Sequence, residues 1–264
     1  MITTDFIPGS PCWIEMFTPD IRATTAFYRS VLGWGSEPAE SAGADTYELF
    51  HLDGRTLGGV TASTDRGSGS AWTIYFTSPD VHATARAVEH GGGTVSMAPM
   101  DVLDLGRAAE FTDPQGGRFG AWTAASFTGF EAADRPGTLC WTELWTDDVT
   151  AAKKFYAGVF GWGFQDMVMP GDEEFTYTLL TPPGAGEDRM HGGLCQAEVP
   201  GPEGSAANWH PVFAVTDCDD TTARVAAEGG QVLMGPEDAE GVGRLSVGKD
   251  LFGADFVLLT PAPE

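Results

Sequence analysis

Apolar and polar positions along this chain fall into short alternating stretches, interrupted at regular places by segments with helical spacing. The stretch around Trp13 alternates and reads as a strand. An Asp-capped helix follows, with Phe27 and Val31 four residues apart on one face, and Gly33 supplies the left-handed residue that ends it. The same succession returns with Trp141, Phe155, Val159 and Gly161. Strands then read from Tyr47 to Leu52 and Leu57 to Ala62, and later from Tyr177 to Thr181 and Gly193 to Ala197. A second round opens at Trp72 and again at Trp209. It runs through a strand, a helix (Val81 to His90; Asp219 to Glu228), a Gly-Gly stop, and strands ending near Ala121 and Leu259.

These matches amount to an internal duplication. Residues 13–35 and 141–163 align without a gap and are identical at 11 of 23 positions. Trp72 and Trp209, Gly92-Gly93 and Gly229-Gly230, and Asp113 and Asp250 continue the alignment, so the repeat covers nearly the whole chain. The predicted architecture is α+β: one domain over 1–125, a linker over 126–137 rich in small, polar and turn residues, and a second domain over 138–264. Residues Ser63 to Ser70 and Pro182 to Asp188 read as surface loops that lie either free or over a ligand.

Charge and composition narrow the function classes. With 38 acidic and 14 basic residues the net charge is −24, which excludes a phosphate-backbone partner such as nucleic acid. The acidity serves solubility, or it supplies a field that draws in a cationic ligand. No apolar run reaches bilayer-spanning length, so no membrane partner is expected. The first residues carry neither a basic start nor an apolar stretch, and the expected address is the cytoplasm. Cys12, Cys140, Cys195 and Cys218 form no CxxC pair and read as buried small hydrophobes.

The strand, Asp-capped helix, Phe-Tyr and Gly-Trp succession, with Asp113-Pro114-Gln115-Gly116 before the last strand, resembles the glyoxalase, bleomycin-resistance and extradiol-dioxygenase superfamily, the vicinal oxygen chelate proteins. The Cys-Trp-x-Glu opening and the fused double copy are similar to an actinobacterial branch labelled hydroxylase or lyase. The resemblance implies two tandem glyoxalase-like domains, each a pair of βαβββ modules forming a cupped mixed sheet. It implies no single function, because this fold hosts metalloenzymes, drug-binding resistance proteins and accessory proteins of antibiotic pathways.

The resemblance also places metal-ligand positions. They fall at Trp13 and Trp141 on the opening strand, among Gly58, Gly59 and Val60 or Gly192, Gly193 and Leu194 on the third, at Thr73 and His210, and at Gly120 and Val257. Of these, His210 alone is a metal-binding residue type, and one imidazole does not hold a catalytic divalent cation. The expected cofactor is none. Glu15 beside His210, if the halves pair across the chain, would make a weak two-ligand site.

Strand alternation sets Trp13, Glu15 and Phe17, and likewise Trp141, Glu143 and Trp145, on one face of each opening strand, with Tyr75 and Trp122 completing a wall. Aromatic rings around a carboxylate, with His210 added, suit a flat aromatic molecule that carries a hydroxyl or cationic group. The plain alternative is that the tryptophans fill the interior. The leading reading is a metal-independent binding protein for an aromatic natural product, acting in antibiotic sequestration or as a biosynthetic accessory, as a monomer or homodimer. The alternatives are a lyase, isomerase or hydroxylase-like enzyme of the same superfamily, using Glu15, Glu143 and His210 for proton transfer or an atypical metal site, and a relic serving as an interaction surface.

Overall fold

Asp20, Asp80, Asp148 and Asp217 each accept a hydrogen bond of 2.9 Å from a backbone N–H of the turn that follows, and each starts a helix. The computed structural model describes residues 1–39, 47–63, 69–169, 172–196 and 207–262. In the first copy the elements are β1 (Pro11–Thr18), α1 (Ile21–Leu32), β2 (Gly35–Pro38), β3 (Tyr47–Leu52), β4 (Arg55–Ala62), β5 (Ala71–Thr77), α2 (Val81–His90), β6 (Thr94–Val102), β7 (Gly106–Thr112) and β8 (Arg118–Ala124). The second copy repeats them as β9 (Leu139–Thr146), α3 (Val149–Phe160), β10 (Gly163–Met169), β11 (Asp172–Thr181), β12 (Gly192–Gln196), β13 (Ala207–Ala214), α4 (Cys218–Ala227), β14 (Gln231–Ala239), β15 (Gly243–Lys249) and β16 (Asp255–Pro261). Each copy is a mixed sheet, of order β2-β3-β4-β1-β5-β8-β7-β6 and β10-β11-β12-β9-β13-β16-β15-β14.

The helix ends follow the glycines. Gly33 and Gly161 hold φ of 78° and 71°, the left-handed region a C′ residue needs. Strands β2 and β10 go beyond the segments assigned from sequence. Both are outermost, and β2 ends in Pro38, which an edge strand tolerates because it need not donate on its open side. Val159, expected on the apolar face of α3, is half-exposed, and Phe155, Tyr156 and Phe160 form the buried face instead. Residues 64–68 of the loop expected over Ser63 to Ser70, and Ala197 at the end of an expected strand, lie outside the described residues. Among the described residues no helix is long and apolar enough to cross a membrane. All four cysteines are buried and form no disulfide among the described residues, and burial pushes the Cys12 thiol up to about 12.

Two compact units divide the chain, and each takes one module from each copy. The first comprises Met1–Trp13, Thr73–Gly129 and Trp141–Trp209; the second comprises Ile14–Trp72, Phe130–Cys140 and His210–Glu264. Each closes on an aromatic core drawn from both copies. In the second unit Tyr28 stacks on Trp34 at 5.4 Å and accepts a 3.0 Å hydrogen bond from Trp72 Nε1, while Phe213 meets Trp34 edge-on at 5.2 Å. In the first unit Tyr156 stacks on Trp162 at 5.2 Å and accepts a 2.9 Å hydrogen bond from Trp209 Nε1, while Phe76 meets Trp162 edge-on at 4.9 Å. The Phe-Tyr and Gly-Trp motifs are therefore the centre of the core. Their indole N–H groups reach the carbonyls of Gly137 (2.7 Å) and Gly9 (2.8 Å), which satisfies the polar end of each buried ring.

One core residue breaks the pattern. His191 stands where the first copy has Leu57, is 1% exposed, and lies 5.1 Å from Trp162 and 6.0 Å from Phe76. Among the described residues neither ring nitrogen has a hydrogen-bond partner, and burial pulls its pKa down to about 3. The unfolded chain takes up this proton near pH 6.5, whereas the folded chain resists until about 3. The stability that His191 carries as a neutral ring is therefore complete above 6.5 and is lost as pH falls, at up to roughly 1.4 kcal/mol per pH unit. His191→Leu should lose less stability than the parent between pH 6.5 and 4 in urea unfolding; parallel losses would contradict this reading.

Candidate functional site

Glu15 and Glu143 sit at the same place in the two opening strands, and each is met by a tyrosine that sequence reasoning overlooked. In the second unit Tyr47 Oη on β3 donates to Glu15 Oε2 at 2.9 Å. In the first unit Tyr177 Oη on β11 donates to Glu143 Oε1 at 2.7 Å, accepts from Trp141 Nε1 at 2.8 Å, and Trp145 Nε1 donates to Glu143 Oε2 at 3.1 Å. The structure thus gathers Trp141, Glu143 and Trp145 around one phenol. Burial raises the Glu143 pKa against the lowering effect of the Tyr177 and Trp145 hydrogen bonds. Burial, then the Glu143 charge, raises the Tyr177 phenol well above its ordinary value and keeps it a donor.

Strand register explains how the tyrosines fit. Glu15 pairs with Gly59 across β1 and β4, and Glu143 with Gly193 across β9 and β12. A Cβ on Gly59 would strike Tyr47 Oη and come within 2.6 Å of Glu15 Oε2; a Cβ on Gly193 would strike the Tyr177 ring. Each glycine clears the floor on which a phenol lies down to reach its carboxylate. Tyr47 and Tyr177 open the equivalent stretches read as strands from the sequence, which was the available signal, although β11 itself starts earlier, at Asp172.

Trp13, Tyr75 and Trp122 lie in the first unit. Trp13 meets Phe127 edge-on at 5.1 Å, Phe127 lies 6.2 Å from Trp122, and Trp122 Nε1 donates to the Phe127 carbonyl at 3.0 Å. Tyr75 lies over Gly120, its partner on β8, and its Oη donates to Glu110 Oε1 at 2.6 Å. Glu110 and Phe127 were not expected. Glu110 shows itself only once the β7–β8 register is known, and Phe127 lies in the segment read as a linker. Phe17 is half-buried on β1 opposite Thr61, and His210 is buried on β13, both in the second unit.

These groups do not suit the metal site of the superfamily resemblance. The first position is an indole in both copies, and the next falls among Gly58, Gly59 and Val60 on β4 or Gly192, Gly193 and Leu194 on β12, none of which has a donor side chain. The last-strand position is Gly120, under the Tyr75 ring, or Val257. Among the described residues no group of three or more His, Cys, Asp or Glu could hold a metal ion.

Residues 12–120 and 138–258 match the family described as the Glyoxalase/Bleomycin resistance protein/Dioxygenase superfamily. The anthracycline biosynthesis protein DnrV of Streptomyces peucetius is 34% identical, covering 96% of this chain and 94% of its own. The putative glyoxylase CFP32 of Mycobacterium bovis is 34% identical, covering 99% and 98%. Among solved structures, the 2,3-dioxygenase LapB from Pseudomonas sp. KL28 aligns with a TM-score of 0.66 at 14% identity over 98% of this chain and 94% of that one. The Mn(II)-bound glyoxalase from Novosphingobium aromaticivorans gives 0.63 at 16% over 97% and 88%. At such identities the structural likeness carries the fold alone.

The close fit of Tyr177 over Gly193 can be tested directly. Gly193→Ala should push the ring off Glu143 and cost about 1–3 kcal/mol in urea unfolding, whereas Gly158→Ala on α3, where an added Cβ meets nothing within 4 Å, should cost nothing. Equal effects of the two changes would contradict the packing described.

Proposed function

Because the chain belongs to the Glyoxalase/Bleomycin resistance protein/Dioxygenase superfamily, we propose that it is a metal-independent binding protein for a flat aromatic natural product. It acts in sequestering such a molecule or as an accessory to its biosynthesis, a role suited to a chain that shares 34% identity with an anthracycline biosynthesis protein. The observation that carries this reading is that none of Gly58, Gly59, Val60, Gly192, Gly193 and Leu194, among which the ligand position falls, carries a donor side chain, and that Tyr47 covers Gly59 and Tyr177 covers Gly193. Where a metal enzyme would place donor atoms on the third strand, this chain places Tyr47–Glu15 and Tyr177–Glu143 hydrogen bonds.

Binding is assigned to Trp13, Tyr75, Trp122, Trp141, Glu143 and Trp145 in the first unit and, separately, to Glu15, Phe17 and His210 in the second. Indoles supply stacking area at low entropic cost, since each has two rotatable bonds, and the Glu-Tyr pairs accept and donate to ring hydroxyls and carbonyls. Each role needs the residues together: an isolated carboxylate would be hydrated, and isolated indoles would bind any flat ring.

A second reading as an enzyme has a specific observation in its favour. The raised pKa of Glu143 and its 2.7 Å contact with Tyr177 form a proton-transfer couple of the kind that metal-free isomerases or lyases use. The two readings separate in one experiment. Aromatic polyketides titrated into the full chain should quench tryptophan fluorescence with micromolar midpoints, and the recovered ligand should be unchanged by mass and chromatography. Glu143→Gln should weaken binding by about tenfold or less. No quenching across the panel would overturn the binding reading. Recovery of a converted product, abolished by Glu143→Gln with affinity retained, would establish the enzyme instead.

A further inference from the structure

The two copies differ sharply at one place that the duplication makes directly comparable. In the first unit, Tyr75 on β5 and Glu110 on β7 both pair with Gly120 on β8, and Trp122 follows two residues along the same strand face, opposite Ala108. In the second unit, the equivalents of Tyr75 and Glu110 are Val212 on β13 and Val247 on β15. Both pair with Val257 on β16, and Leu259 stands where the first copy has Trp122. A phenol, a carboxylate and an indole in one copy correspond to aliphatic side chains in the other.

The first-copy carboxylate also differs from Glu143. Both Glu143 oxygens accept hydrogen bonds, one from Tyr177 and one from Trp145, and burial biases the group toward its neutral form. Glu110 is half-buried and accepts from Tyr75 on Oε1; among the described residues it has no cationic partner. A partly desolvated carboxylate without a counter-ion, on the strand face that carries Trp122, has the composition of an ammonium subsite. Phe127 extends the aromatic wall, bridging Trp122 at 6.2 Å and Trp13 at 5.1 Å. A net charge of −24 adds a long-range attraction for cations.

We propose that the Tyr75–Glu110–Trp122 group selects the amine of an amine-bearing aromatic ligand, with the ammonium on Glu110 and the flat ring against Trp122 and Phe127. The corresponding Val212–Val247–Leu259 group offers neither charge nor a hydrogen-bonding side chain. Glu110 is thus a specificity-determining residue, and the copies are specialised: an amine-reading half and an amine-blind half. This inference rests on the aromatic-binding reading above and adds the charge of the ligand to it.

The test uses 1-(3-aminopropylamino)anthraquinone and its N-acetyl derivative, which share a chromophore and differ in the ammonium. In calorimetric titrations of the full chain at low salt, the amine should bind about tenfold more tightly than the acetamide. The gap should shrink as salt is added. Glu110→Gln should close most of that gap while leaving acetamide affinity unchanged, and Glu143→Gln should leave the ratio of affinities intact. Circular dichroism of each variant confirms that it folds, and a Glu110→Asp variant should recover part of the preference. Equal affinity of the parent for both probes, or a ratio insensitive to Glu110→Gln, overturns the amine subsite while sparing the aromatic-binding reading. Absence of binding by either probe overturns both.

Discussion

The exchange of aromatic rings between the two copies is the constraint on which everything else rests. The Tyr28–Trp34 stack is completed by Phe213 of the second copy, and the Tyr156–Trp162 stack by Phe76 of the first. Such edge-to-face and offset contacts contribute about 0.5–1.5 kcal/mol apiece beyond the area they bury. Neither copy contains all the rings of one core. The Phe-Tyr and Gly-Trp motifs are repeated because each copy must offer the same ring set to a partner module, and fusion in one chain guarantees that the partner is present. With the cores closed on one face of the strands, alternation leaves Trp13, Glu15, Trp141, Glu143 and their neighbours for the other face.

On that second face the chain uses absence as a building device. Gly59, Gly193 and Gly120 contribute no side chain, and in each case a tyrosine from the neighbouring strand occupies the space and hydrogen-bonds to a glutamate: Tyr47 to Glu15, Tyr177 to Glu143, Tyr75 to Glu110. The result is a set of Tyr-Glu pairs beside indoles. The same solution occurs at equivalent positions in both copies and once more in the first copy alone, where the second copy has Val212, Val247 and Val257 instead. Physical chemistry distinguishes the pairs by their saturation: Glu143 has a donor on each oxygen and little reason to seek a cation, whereas Glu110 has one donor among the described residues.

Much of the fold was legible in the sequence. Helix boundaries followed from Asp caps and Gly stops because capping chemistry is local, and the ungapped repeat gave the second half an independent check. Strands β2 and β10, implied by the βαβββ count, were not placed in the sequence: β2 is short and polar, and β10 carries Met167 and Val168 exposed, so neither shows the alternation of a half-buried strand. Of the site, the coincidence of Trp and Glu in both copies was readable. Tyr47 and Tyr177 were readable in principle from their shared position, but their role depends on Gly59 and Gly193 lying opposite the glutamates, a register fact that no local pattern encodes. Glu110 depends on a further strand pairing, and Phe127 on the path of a segment whose composition signals only a turn. His191 was invisible for the opposite reason: a histidine replacing Leu57 inside an aromatic core contradicts local expectation, and only packing reveals it.

The central claim is that this chain binds an aromatic molecule through indoles and Tyr-Glu pairs without a resident metal. The direct measurement is equilibrium dialysis of the full chain against an anthraquinone amine, before and after exhaustive chelation, with iron, manganese, zinc and nickel measured on the same samples. The account predicts unchanged affinity at well below one metal ion per chain. Affinity that disappears on chelation and returns with one equivalent of a divalent metal would contradict it.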